Sequence, residues 1–160
     1  MTEEHSPLIN FLRGETRNAH PSNYDVQWII EDASDEWMEV THDYIQWCFP
    51  TTVPSRFHPS APVLTDEDLC MIIANPSIRA RLFSFRKRYM DFLINTREWR
   101  ERHDHNQLRI TRALQSTKII FGTLDAQKLL RDVMVLAKIP AGMKVNKETL
   151  RIWQAMVSDG

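Results

Sequence analysis

The chain has 160 residues, 42% of them hydrophobic and 26% charged, with a formal net charge of −1. That is the size and composition of one ordinary soluble domain, able to bury about two-thirds of its unfolded surface. Four glycines and the lack of any G-x-G-x-x-G or Walker-type pattern argue against turn-rich β-sandwiches and phosphate-cradling loops.

No apolar run approaches the ~18 residues of a membrane helix, so no membrane span is expected. The start, "MTEEHSPLIN", lacks the basic and apolar segments of a signal peptide. Cys48 and Cys70 each lie in an apolar stretch and read as small buried hydrophobes in a reducing, cytoplasmic setting. Charge is uneven. Residues 1–68 hold thirteen acids against three arginines, a net of −10. Residues 79–112 hold ten Lys/Arg against four acids, a net of +6. Acidic and basic helices either face one another or are separately solvated; a basic groove for an anionic partner is the sharper reading.

In chain order, "SPLINFLRGE" predicts a helix with Ser6 as N-cap, Pro7 at the first helical position and Gly14 as stop. Residues 15–23 read as a polar loop, and "YDVQWIIED" as a short apolar segment, helical or extended. Ser34 caps a stronger helix over residues 35–49, "DEWMEVTHDYIQWCF", with acids at its positive dipole end and Pro50 beyond it. Residues 50–63 carry four prolines and form a long surface loop.

Thr65 and Asp68 make a T-x-x-D cap for the next helix, and Asn75-Pro76 starts a long one over residues 76–97. Its core stripe is Ile78, Leu82, Phe85, Tyr89, Phe92 and Leu93. "REWRERHDH" interrupts. A helix over 105–121 then ends at Gly122, followed by "TLDAQKLLRDVMVLAKI" and an Asn146-capped helix within residues 140–157. No repeat or hairpin pattern appears. The expectation is an all-α, bundle-like single domain over residues 1–160, with about seven helices and one Pro-rich loop.

Three stretches then point to a family. "HDYIQWCFP" at 42–50 matches eight of nine residues of the signature HDYIQWLFP, with Cys48 in the leucine position and Glu39 keeping the acid of a preceding Leu-Glu pair. "FHPSAPVLT" at 57–65 and "HNQLRITRALQSTKIIFG" at 105–122 agree in order and spacing. On these the chain resembles the opioid growth factor receptor conserved-region family over roughly residues 11–135, as a short, domain-only member. The resemblance implies a fold without a seven-helix membrane bundle. Its animal members are described as nuclear-associated receptors for an endogenous opioid peptide, so a nuclear location is the alternative to a cytoplasmic one.

The residues themselves propose a site. On a helix, His42 and Gln46 share a face, while Tyr44 and Cys48 lie on a second stripe. Such buried polar groups need partners, and Asn106, Arg109 and Arg112 recur at three-residue spacing with donors in surplus. Asp43 is expected to receive a charge-assisted bond from Arg109 or Arg112. The arrangement is either a structural clasp or a pocket for a peptide or small anion, lined by His42, Tyr44, Gln46 and Asn106.

An enzyme using His42 as base and the arginines as anion anchors is the alternative. Adjacent His42 and Asp43 diverge by about 100° on a helix, however, and no nucleophile turn is recognisable. His103, Asp104 and His105 do not form a metal set, and no cofactor is implied. Weak nucleic-acid binding along residues 79–102 would use Arg79, Arg86, Lys87 and Arg88, with Phe85 or Tyr89 stacking on bases. Trp99, in the polar "TREWRER", is expected to be exposed and to form an interaction surface with Arg86 and Arg88.

Overall fold

The structure, a computed structural model, describes residues 5–159. The fold is all-α: nine α-helices, one 3-10 turn and no strand among the described residues. Within it the chain divides into two compact units, Met1–Phe92 and Leu93–Gly160.

The first unit is built on α1 (Pro7–Arg13), which packs against α2 (Val26–Asp32), α4 (Ile45–Cys48) and α5 (Asp66–Ala74). Ser6 caps α1 as its sequence requires, its Oγ accepting from the Ile9 N–H at 3.2 Å. The same hydroxyl donates to Asp68 Oδ1 at 2.8 Å, which ties that cap to the Thr65/Asp68 capping box of α5. Gly14 ends α1 at φ 67°, where a Cβ would also meet the Arg81 side chain at 2.8 Å. Leu8, Ile9, Phe11 and Leu12 are all buried. So are the residues expected as the core stripe of α6 (Pro76–Asn95): Ile78, Leu82, Phe85, Tyr89, Phe92 and Leu93. Cys48 is buried, but Cys70 lies on the exposed side of α5.

One predicted helix is broken in two. The expected helix over 35–49 appears as α3 (Asp35–Val40) and the single turn α4, separated by Thr41–Tyr44. Val40, Thr41, His42 and Asp43 are all weak helix formers. Asp43 also finds tertiary partners that a helical backbone would deny it.

The second unit centres on α7 (Asn106–Phe121), packed against α8 (Thr123–Ala137) and α9 (Lys147–Met156). Trp99 corrects the sequence expectation: it is 0% exposed. The 3-10 turn Glu98–Arg100 rotates it inward while Arg97 and Glu98 face solvent. Its indole N–H donates to the Leu93 carbonyl at 2.9 Å, which satisfies the buried ring.

Arg100, also buried, donates to the carbonyls of Leu93 (3.1 Å), Ile94 (3.1 Å) and Ile139 (3.2 Å). Two of those carbonyls belong to the last turn of α6, where a cation suits the negative dipole end. Replacing Arg100 by alanine strands these acceptors and is expected to cost about 2–4 kcal/mol. Urea denaturation followed by tryptophan fluorescence measures it; a loss under 1 kcal/mol would show the guanidinium to be dispensable.

Candidate functional site

The residues expected to form one site are distributed over both units. In the first, His42 is exposed on the Thr41–Tyr44 connection, while Tyr44 is fully buried and its hydroxyl donates to the Met38 carbonyl at 2.7 Å. Gln46 is buried within α4. In the second unit, Asn106 and Arg109 are buried together, Arg109 donating to Asn106 Oδ1 at 3.2 Å. Burial pushes the pKa of Arg112 down to about 10.

Asp43 finds its partners within its own unit. Its Oδ1 accepts from the Tyr24 hydroxyl at 2.6 Å and its Oδ2 from Ser22 Oγ at 3.1 Å. Its backbone carbonyl accepts from His20 Nε2 at 2.9 Å. The other ring nitrogen, Nδ1, takes the Ser22 backbone N–H at 2.9 Å, so His20 sits as the neutral Nε2–H tautomer. The imidazole is buried, stacked on Tyr24 at 4.1 Å and tilted against Trp47 at 4.8 Å.

Sequence reasoning missed this knot because it lies in the segment read only as a polar loop. The available signal was "HPSNY": a proline and an asparagine that make a turn, with Asn23 at φ 66°. The turn closes through His20 N to the Tyr24 carbonyl at 2.7 Å and Asn23 N to the His20 carbonyl at 2.8 Å.

This knot is not a triad. Ser22 Oγ points to Asp43 rather than to the imidazole, and both ring nitrogens are committed. Burial pushes the Cys48 thiol well above its usual pKa, which removes it as a nucleophile.

The members of the interaction surface expected around Trp99 are engaged otherwise. Trp99 is core. Arg88 is a tie, donating to the Ala33 carbonyl at 3.0 Å and pairing with Asp35 at 2.8 Å. Arg86 lies 5.0 Å over the ring of Phe83, as does Lys87 at 4.8 Å. Phe85 and Tyr89, the expected base-stacking rings, are both buried.

An open cleft exists elsewhere, inside the second unit. It measures about 440 Å³ and is lined by the turn His103–Asp104–His105, by Gln107, Leu108 and Thr111 of α7, and by Thr149 and Ile152 of α9. Asn146 builds one wall: its Nδ2 donates to the Arg102 carbonyl and to Thr149 Oγ1, both at 2.8 Å, while its Oδ1 caps α9. Nδ2 also lies 3.2 Å from His103 Nδ1, which places the exposed His103 ring on the rim with Nε2 turned away from Asn146. Thr111 Oγ1 accepts from the Trp153 indole at 3.0 Å and donates to the Gln107 carbonyl at 3.0 Å.

Gln107 is only 5% exposed. Its Nε2 donates to the Trp99 and Glu101 carbonyls at 3.0 and 2.8 Å, and its Oε1 takes no hydrogen bond from a described residue. Leu108 and Ile152 are exposed apolar side chains on opposite helices of the cleft. The residues of the "HDH" turn thus border a cavity, although no cluster of three potential metal ligands occurs among the described residues. No helix among them is long and apolar enough to cross a membrane.

Two measurements check the knot. Asp43→Ala is expected to cost about 1–3 kcal/mol by leaving the buried Tyr24 hydroxyl without an acceptor. Tyr24→Phe in that background should then cost less than it does alone, as a double-mutant cycle reads.

The pH dependence follows from His20, whose pKa is lowered, chiefly by burial and against the opposing pull of Asp43. The unfolded chain therefore binds the proton more readily near pH 6.5. His20 stabilises the fold fully above that pH, and the contribution is lost as pH falls from 6.5 through the lower folded pKa. Urea titrations from pH 7.5 to 5 should show a fall in stability that is shallower in His20→Phe. Equal slopes in the two proteins would remove His20 as the titrating group.

Comparison of the chain with protein-family models, with curated proteins and with solved structures finds no match.

Proposed function

We propose that the protein is a helical binding module, of the kind its "HDYIQWCFP" and "HNQLRITRAL" stretches resemble in the opioid growth factor receptor conserved region. Its ligand would be a peptide or small anion held in the cleft between the His103–His105 turn, α7 and α9. The cleft carries this reading, with a volume inside the roughly 300–1,000 Å³ range of ligand sites.

Its chemistry suits a peptide. Gln107 Oε1 accepts an N–H, and the exposed His103 imidazole can donate to a carbonyl or carboxylate. Leu108 and Ile152 flank an apolar side chain between them. An extended peptide offers that alternation of donor, acceptor and apolar group along its length. The polar groups already present are mutually bonded and oriented, so little ordering cost falls on binding.

A heteronuclear NMR titration with an enkephalin pentapeptide, unrelated pentapeptides, acetate and phosphate tests this reading. A true ligand should shift the amide signals of His103–Thr111 and of Thr149–Ile152. Its Kd should rise at least fivefold in Leu108→Ala and His103→Ala, both exposed positions whose loss spares the core. At a concentration 100 times Kd the ligand should stabilise the protein by about 2.7 kcal/mol. Shifts confined to other residues would place binding elsewhere. No shifts with any member of the panel would remove the cleft as a peptide or anion site.

A further inference from the structure

We propose a second, independent surface: the outward face of α8 docks an acidic amphipathic helix from a partner protein. The inner face of α8 is spent on the fold, with Ala126, Leu129, Leu130, Val133 and Ala137 buried. Its outer face is of mixed chemistry. Leu124 is 81% exposed and Val135 57%, with Ile139 just past the helix end at 48%. Between and beside them stand Lys128, Arg131 and Lys138, all exposed.

At 100° per residue, Leu124, Lys128, Arg131, Val135 and Lys138 fall within an arc of about 80°. Asp125 and Asp132 lie about 80–100° from Leu124, on its flank. The stripe from 124 to 138 is about 21 Å long, or four helical turns. Single exposed apolar residues need no explanation, but aligned ones of this exposure on a charged stripe do.

The charge of this stripe is uncompensated. Some exposed cations elsewhere are paired, Arg17 with Glu31 and Asp32, Lys144 with Glu101, and Arg151 with Glu148, whereas Arg56, Arg97, Arg102 and Lys147 stand singly without an ion pair to a described residue. Lys128, Arg131 and Lys138 form no ion pair with any described residue. Three free cations flanked by apolar side chains complement a helix that presents carboxylates between apolar residues, spaced over three to four turns. Nucleic acid would use the cations and leave Leu124 and Val135 idle. A vesicle surface would use both without demanding helical spacing, so those two partners are outcomes of the test.

The probe is a fluorescein-labelled 18-residue helical peptide with leucines and glutamates placed to mirror the α8 stripe, titrated with the full chain in fluorescence anisotropy. A scrambled peptide of the same composition, a Gln-for-Glu peptide, phosphatidylserine-containing vesicles and a 20-base-pair duplex DNA are measured alongside. The expected result is a Kd at least tenfold tighter for the patterned peptide than for the scrambled and Gln-for-Glu peptides. Binding should weaken at least fivefold in Arg131→Glu and in Val135→Ser, with circular dichroism unchanged.

Leu108→Ala, in the cleft, should leave this binding intact, so the surface and the cleft fail or succeed separately. Three results would overturn the proposal. One is equal affinity for patterned and scrambled peptides. Another is DNA or vesicle binding that depends on Arg131 and exceeds peptide binding. The last is peptide binding that survives both α8 substitutions.

Discussion

A buried imidazole that must stay neutral organises the first unit. His20 spends one nitrogen on the Ser22 N–H and the other on the Asp43 carbonyl, while its ring is walled by Tyr24 and Trp47. Because Asp43 is held there, the chain cannot run as one helix from Asp35 to Phe49. It stops at Val40, delivers Asp43 to the knot, and starts again at Ile45. The restart aims the four residues of α4 inward together, all of them buried. The aromatic cluster around them, from Phe11 through Tyr24, Trp37 and Tyr44 to Phe85, follows from that reversal. A neutral hydrogen-bonded imidazole is the form of histidine that such an apolar setting tolerates.

The second unit solves a related problem with a cation. Arg100 brings its charge into the interior and discharges it on backbone carbonyls at the end of α6 and at Ile139, without a carboxylate. Trp99 uses the Leu93 carbonyl as well, so a single 3-10 turn terminates one helix and seeds the core beneath α7 and α8. The turn that follows, residues 101–105, is pinned to α9 by Asn146. A cleft remains because α7 and α9 meet at Thr111 and Trp153, while near His103 and Thr149 they are bridged through Asn146. Structure and candidate site are thus one arrangement: the groups that fix the turn also orient the polar lining.

Chemically, the two polar centres have opposite character. The His20 knot is closed, with each nitrogen and carboxylate oxygen partnered, and its role is architectural. The cleft is open, with an acceptor on Gln107 that no described residue uses and the exposed imidazole of His103 on its rim. Satisfied networks give uniqueness to a fold, whereas unsatisfied but accessible groups are what a ligand can use. The open cleft thus lies at the "HDH" turn, sixty residues after the His42–Asp43 pair.

Much of the helical architecture was legible in the chain because its signals are local. Ser6, Ser34, Thr65 with Asp68 and Asn146 cap the helices they appear to cap, each by a side chain three residues from the N–H it satisfies. The three-and-four spacing of α6 likewise names its buried face without reference to any other element. What the tertiary structure alone decided concerns partners distant in sequence. Asp43 pairs with a loop about twenty residues upstream, and Trp99 is drawn inward by a carbonyl at the end of a helix. The cleft joins a turn to a helix some forty residues later. Local periodicity and capping carry no information about such long-range choices, because their energy comes from satisfying buried polar groups after the chain has packed.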